Sequence, residues 1–331
     1  MKPLLLHYYL TNRCNARCTF CSIWTEHPKI DASAADVVRN LKAARHEGCR
    51  FVDFTGGEPL LHPELPRFLS EAHACGYITS ITTNCILFPS RAAEIAGHVD
   101  LIHFSIDADS AELHNRIRGS DSFTKVLESI DIALSHGMAP DLLFTYTNEN
   151  IDSIEGVYEI ARRRKLILIL DPVFDLRGPD RIGVQVHRKA LELSKKTGVY
   201  LNKAHLALRA AGGNHVRKPL CKAVTSTLVI LPDNTLALPC FHHRTASIPL
   251  NDGTGGAFDG SARKEAATRQ GAFSFCEGCH INCYFDPSYQ YIKNKYFLLS
   301  LASKWSYAWT KHVLYGRKIP DPRNALLGLL R

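Results

Sequence analysis

An α/β fold with a parallel sheet is the architecture that the sequence predicts, and three observations carry it. Between residues 4 and 172, short β-prone apolar runs alternate with longer amphipathic stretches. Polar and glycine-containing motifs follow directly after several of these runs, where a parallel sheet presents the C-terminal ends of its strands. The 331 residues, 45% hydrophobic and 22% charged, suffice to bury a full core in one large domain or two.

The first run, Leu4–Leu10, follows only Met-Lys-Pro and is too short and too polar for a signal peptide, so it reads as a strand. Further strands are expected at Phe51–Thr55, Ile78–Thr83, Leu101–Ile106, Leu142–Thr147 and Leu166–Leu170. Helical periodicity fills Ala32–His46, Glu64–Cys75, Phe123–His136 and Ile151–Arg163, with Asp31 and Ser33 as start signals ahead of the first. The run Arg162-Arg163-Arg164-Lys165 reads as the solvated end of a helix. Arg177–Gly183 reads as a loop, His187–Thr197 as a helix and Ala204–His215 as a linker to a second module. Pro232-Asp233-Asn234 is a turn between two apolar runs, and that hairpin returns Cys240 close to Cys221. No apolar run approaches the roughly 18 residues of a transmembrane helix.

Eleven cysteines without a secretory signal point to a reducing cytosol and to metal ligation, not disulfides. Cys49 and Cys75 read as inert buried thiols. Cys14, Cys18 and Cys21 stand in the spacing C-x3-C-x2-C, with Phe20 just before the third. Three thiolates so close can hold one face of a cubane [4Fe-4S] cluster and leave one iron open to a small ligand. A structural zinc ion normally takes four ligands, and no fourth stands near.

With this motif the sequence resembles the radical S-adenosylmethionine (SAM) enzymes. The resemblance implies a partial (β/α)6 TIM barrel, with SAM chelating the open iron and cleaved reductively to a 5'-deoxyadenosyl radical that abstracts a substrate hydrogen. It also implies a reductant such as flavodoxin or ferredoxin. Gly56-Gly57-Glu58-Pro59 matches the family motif that holds the methionyl amino group, through close backbone approach and an ammonium-accepting carboxylate. Thr83-Asn84-Cys85 stands where the family often has Thr-Asn-Gly, making Asn84 a SAM contact. Cys85 is read as structural, with hydrogen-atom donation to a substrate radical as the alternative. Ser105 and Asp107 match an S-x-D motif, and Arg118 a following R-G segment that contacts the SAM carboxylate. Arg116 reads as a solvated helix charge, and Tyr146 and Asp171 as strand-end pocket residues.

Cys221, Cys240, Cys276, Cys279 and Cys283 form a second group, enough for one four-thiolate cluster with one left over. This resembles the auxiliary-cluster modules called SPASM or, when shortened, twitch. The resemblance implies one auxiliary [4Fe-4S] cluster on Cys221, Cys240, Cys276 and Cys279, with Cys283 a substitute for one of the last pair. Structural zinc on the same thiolates, with His242, His243 or His280 as substitutes, is the alternative. The division expected is a core barrel at 1–203, a small hairpin-and-helix auxiliary-cluster module at 204–286 and a helical tail at 287–331.

No acidic residue occurs from Pro287 to Pro320, while the stretch is basic and rich in Tyr and Trp. Packing of that aromatic face on the barrel and contact with a membrane surface are the two readings. The formal charge of +8 comes with no nucleic-acid-binding motif. The expected protein is a cytoplasmic enzyme, possible contact with the inner membrane face aside. Its expected substrate is a small-molecule or lipid-linked biosynthetic intermediate, with the auxiliary cluster as electron acceptor. A peptide substrate is the alternative, against which stands the absence of residues ahead of the first strand. A non-catalytic zinc- or cluster-binding protein is the third reading.

Overall fold

The computed structural model describes residues 1–174, 180–250, 258 and 260–317. Its parallel strands β1 (Leu5–Thr11), β2 (Phe51–Gly56), β3 (Ile78–Thr83), β4 (Leu101–Ser105), β5 (Asp141–Tyr146), β6 (Leu168–Pro172) and β7 (Val199–Leu201) lie side by side in chain order. The first six agree with the sequence expectation to within two residues at every end. Beyond β1 the sheet continues through β8 (Thr227–Ile230), parallel to β1, then β9 (Thr235–Leu238) and β10 (Ala246–Pro249), each antiparallel to its predecessor. Among the described residues the ten-stranded sheet therefore ends at β7 and β10 and is open.

The helices α1 (Ala34–Glu47), α2 (Leu65–Ala74), α3 (Phe88–Ile95), α4 (Ala111–Arg118), α5 (Phe123–Ser135), α6 (Ile154–Arg163) and α7 (Val184–Leu193) connect the parallel strands. Ser33 caps α1 by accepting from the Asp36 amide, and Gly48 at φ +123° ends it. The two-residue period of the strands separates two environments. Leu6, Tyr8, Leu10, Val52 and Phe54 are fully buried in the main core. The alternate positions, among them His7, Asp53, Ser80 and His103, line a cavity of about 470 Å³. Its wall also takes residues from α11 (Asn282–Ser288) and α12 (Lys295–Trp309), namely Asp286, Lys304 and Tyr307. Between α7 and α11 in the chain come α8 (Lys203–Ala210), α9 (Ala223–Ser226) and α10 (Ser261–Arg269).

The expected linker Ala204–His215 begins instead with α8, because Asn202 caps it by accepting from the Ala204 amide at 3.1 Å and Ala204 and Leu208 are fully buried. The helix expected at His187–Thr197 is α7, which starts earlier, at Val184, after Gly183. Only the last four residues of the loop Arg177–Gly183 lie within the described residues. The expected hairpin is present as β8 and β9, and it joins the main sheet through β1, so hydrogen bonding runs unbroken across the 203/204 boundary. A second apolar cluster does lie largely beyond that boundary, around Leu208, Val229, Tyr284, Phe285 and Tyr289. Cys49 is fully buried, whereas Cys75 is only half-buried.

Candidate active site

The loop after β1 is held at both ends by side chains. Thr11 Oγ1 donates to Asp31 at 2.6 Å, Asn12 donates to the Pro28 carbonyl and accepts from the Ile30 amide, and Arg13 reaches Asp31 at 2.6 Å. Midway, the Arg17 and Thr19 amides donate to the carbonyls of Arg118 and Ile117, each at 2.9 Å, so the cysteine loop rests on the end of α4. Gly56-Gly57 closes the other side. A Cβ on Gly57 would lie 2.0 Å from the Arg13 carbonyl oxygen, and Gly56 sits at φ +132° against the Thr11 carbonyl. The sequence assigned these glycines to close approach of a ligand; the approach seen is to the backbone of the cysteine loop itself.

Cys14, Cys18 and Cys21 are thereby gathered. Burial pushes the Cys14 thiol up to about 11, with the charges of Glu58, Cys18 and Cys21 adding to it. The Ala16 amide donates to Cys14 Sγ at 3.5 Å, and Arg118 Nη1 donates to Cys18 Sγ at 3.7 Å. A buried guanidinium and a backbone donor aimed at these sulfurs favour their thiolate forms, which suits three-cysteine ligation of an iron–sulfur cluster, whose binding removes the thiol protons.

Arg118 is 7% exposed and forms an ion pair with the fully buried Asp107, Nε to Oδ2 2.5 Å. The Asp107 charge raises the affinity of the guanidinium for its proton. Asp107 Oδ1 accepts from the Thr145 amide at 3.0 Å, and the guanidinium lies 5.6 Å from the Phe20 ring centre. Arg118, at the end of α4, thus links the Ser105-x-Asp107 motif to the cysteine loop, and Ser105 is itself buried. Glu58, 2% exposed, accepts from the Leu60 amide, Thr83 Oγ1 and the Asn84 amide at 3.1, 2.8 and 2.9 Å. Burial still lifts its carboxyl to about 7. Asn84 Nδ2 donates to Asn15 Oδ1 at 2.7 Å, which ties it to the cysteine loop as well. Cys85 holds φ +67°, the conformation of the glycine it replaces, and its side chain is fully buried in the main core. Its packing supports the structural reading of that thiol.

The second cysteine group separates four from one. Burial raises the proton affinity of Cys221, Cys240, Cys276 and Cys279 most, the field of Cys279 raises the other three further, and Cys240 is pushed up to about 12. Backbone amides of Ala223, His243 and Ile281 point back at Cys221, Cys240 and Cys279. Such donors suit thiolates, and so the set fits a cluster. The organiser is Asn214, 1% exposed: it donates to the Gly271 and Cys276 carbonyls, accepts from the Leu220 and Cys221 amides, and its main chain pairs with Cys279 and Gly278. No motif marked it in a single sequence.

Cys283 stands apart, with Asp171, Asp53 and Asp286 as its charged neighbours. His242 is ringed by Phe174, Phe241 and Tyr284, and His243 stacks on Phe275. Among the described residues, no three His, Cys, Asp or Glu side chains converge on a single-ion position. Tyr9 lies between the two groups: its ring stacks on Phe241, and its hydroxyl feels Cys283, Asp53, Cys240 and Cys21. Of the strand-end residues, Asp171 accepts from Asn282 at 2.9 Å and is lifted to about 6 by burial, and Tyr146 bonds His187 at 3.0 Å. Arg116 is exposed and pairs with Glu149.

Residues 8–161 match the profile of the Radical SAM superfamily. The GTP 3',8-cyclase of Clostridium acetobutylicum is 32% identical over 159 residues, 45% of this chain and 49% of that protein. This chain thus spans about half the length of that curated relative. Among solved structures, Streptococcus suis SuiB bound to S-adenosylmethionine superposes with a TM-score of 0.64 at 16% identity, covering 89% of this chain and 77% of SuiB. Histidine-tagged anSMEcpe with bound AdoMet gives 0.62 at 17% identity, covering 99% of both chains. SuiB bound to its precursor peptide SuiA gives 0.63 at 16% identity over 80% of this chain and 65% of SuiB. The braced cysteine loop, the buried Glu58 and the Arg118–Asp107 pair all fall within residues 8–161, the part of the chain that matches the Radical SAM superfamily.

Proposed function

We propose that the chain is an enzyme that cleaves SAM reductively and uses the radical on a small-molecule or lipid-linked biosynthetic intermediate. The observation that carries this reading is the gathering of Cys14, Cys18 and Cys21 against Gly56-Gly57, beside a buried carboxylate and a buried guanidinium. Bound there, a [4Fe-4S] cluster with SAM supplies the electron transfer and hydrogen abstraction that no side chain can perform.

The protein's part is to bind, orient and exclude water. The three cysteines hold the cluster, and Arg118, donating to Cys18, places positive charge beside the thiolates. Glu58 accepts from the SAM ammonium; its three donors hold the carboxylate in place while burial keeps the cost of leaving it unpaired high. Asn84, Ser105 and Asp107 complete the SAM side, and Phe20 packs by Arg118. Residues 1–203 carry this chemistry, and residues 204–286 carry one auxiliary cluster on Cys221, Cys240, Cys276 and Cys279. A low-potential donor such as flavodoxin or ferredoxin supplies the electron. The matched part of GTP 3',8-cyclase supports the shared SAM chemistry, and the substrate of that enzyme lies outside the argument. A peptide substrate is the second reading, favoured by the shared fold of SuiB, solved with its precursor peptide.

Anaerobic reconstitution with iron and sulfide analysis tests the proposal, followed by dithionite, SAM and a 5'-deoxyadenosine assay. Wild type is expected to hold about eight irons and form 5'-deoxyadenosine; the triple Cys14/Cys18/Cys21→Ala variant is expected to keep about four and form none. A fully loaded wild type that forms none overturns the reading.

A further inference from the structure

Seven large apolar side chains are prominently exposed among the described residues, and five of them fall between residues 298 and 314. They are Leu298 (64%), Trp305 (61%), Trp309 (50%), Val313 (51%) and Leu314 (53%). Leu298, Trp305, Trp309 and Val313 follow one another at spacings that return to the same side of a helix. The opposite side of α12, and of the π-helical turn Thr310–Leu314 that continues it, is anchored. Tyr307 donates to Asp141 at 2.7 Å, and Lys311, 3% exposed, grips the same carboxylate at 2.8 and 2.9 Å. Ser300 and Ser303 are buried with them. The helix is therefore fixed to the sheet by a buried ion pair, and its apolar stripe is turned outward.

Charge says what meets the stripe. Lys293 and Lys295 are exposed at its start, and no acidic residue occurs from 287 to 320. At its end, Arg317 donates to the Arg164 carbonyl at 3.1 Å, which brings the Arg162-Arg163-Arg164-Lys165 run alongside. There Arg162 pairs with Glu159 and Arg164 with Asp131, and the four basic residues still outnumber these two carboxylates. Asp286 and Asp141, the acidic groups packed against the helix, are each taken by a lysine of the same segment, Lys304 and Lys311. Two tryptophans in an apolar stripe with basic residues at both ends match the headgroup boundary of an anionic bilayer. A second copy of the chain would bring like charge to like charge at both ends of the stripe.

We infer that the outer face of residues 293–317 docks on an anionic membrane surface and holds the enzyme there peripherally. Leu298, Trp305, Trp309 and Val313 enter the headgroup region, and the flanking lysines and arginines meet lipid phosphates. The inference does not depend on the catalytic reading.

The test uses the reconstituted 331-residue chain with vesicles of pure phosphatidylcholine and of phosphatidylcholine with phosphatidylglycerol, in a flotation assay. Wild type is expected to float with the anionic vesicles, weakly with the neutral ones, and less as salt rises. Its tryptophan emission shifts to the blue on binding, a clean signal because Trp24 is the only other tryptophan. Trp305→Ser/Trp309→Ser is expected to reduce the bound fraction roughly tenfold or more, with iron content and 5'-deoxyadenosine formation unchanged as proof of an intact fold. Wild type that stays off anionic vesicles overturns the inference. So does equal flotation of the variant, or a wild-type dimer that the variant abolishes, which would assign the stripe to self-association.

Discussion

Arg118 joins two buried groups that the sequence could not connect: Nη1 stands 3.7 Å from Cys18 Sγ while Nε stands 2.5 Å from Asp107 Oδ2. Removing one member of a buried pair strands the other charge, which costs about 3–5 kcal/mol. Arg118→Ala is therefore expected to lower the stability of the cluster-free protein by about that much in urea denaturation. Asp107→Asn in the same chain should restore part of the loss, because no bare carboxylate then remains. A single Arg118→Ala variant as stable as wild type would break the argument.

Glu58 makes a pH prediction with a definite sign. Its folded pKa is about 7 against an ordinary 4.5, raised by burial. A carboxyl with a raised folded pKa contributes stability that is full below the unfolded pKa and lost as pH climbs through the folded one. Between about pH 4.5 and 7 the cluster-free wild type should lose roughly 3 kcal/mol relative to Glu58→Gln, which has no such proton to give up. SAM binding to the loaded enzyme should strengthen over the same range, since an ammonium prefers the ionised carboxylate. Parallel pH curves for the two proteins would sink both statements.

What could be read in advance divides along local and non-local lines. The first six strands and the motif after each were legible because parallel strands are continuous apolar runs and their chemistry follows directly in the chain. The helix α8 passed for a linker since its sequence, Lys-Ala-His-Leu-Ala-Leu-Arg-Ala, lacks a strong polar face and its cap is a single asparagine, Asn202. Gly57 was legible as a position needing no side chain, but the partner that demands it, the Arg13 carbonyl, is a backbone atom with no sequence signature. Asn214 was invisible for the same reason: all its partners are main-chain groups. The joining of β8 to β1 across more than 200 residues is a tertiary choice that hairpin signals do not encode.

Asn214 ties the Cys221 segment to the Cys276–Cys279 segment, so its loss should be felt at one cysteine group only. Asn214→Ala leaves the Gly271 and Cys276 carbonyls without their donor in a buried place, at a cost of about 1–3 kcal/mol. Reconstituted protein is expected to retain about four irons in place of about eight, and to keep forming 5'-deoxyadenosine. If iron is lost equally from both sites, as triple Cys→Ala variants of each group would reveal, Asn214 is a general stability residue and not the organiser of the second group.

Cys283 gives the sharpest discrimination within that second group. Its charged neighbours are Asp171, Asp53 and Asp286, and its carbonyl lies 3.5 Å from His7 Nε2 at an exposed position. Cys221, Cys240 and Cys276 instead lie in the field of Cys279. Three carboxylates are poor company for a cluster thiolate, since like charges oppose the deprotonation that ligation requires. Cys283→Ala is thus expected to bind as much iron as wild type, while Cys240→Ala and Cys279→Ala each lose the second cluster's share. Iron analysis with electron paramagnetic resonance of the reduced proteins separates the cases. If Cys283→Ala loses the signal of the second cluster and Cys279→Ala keeps it, the fourth ligand is Cys283, and the loop from Cys279 to Cys283 must rearrange when iron binds.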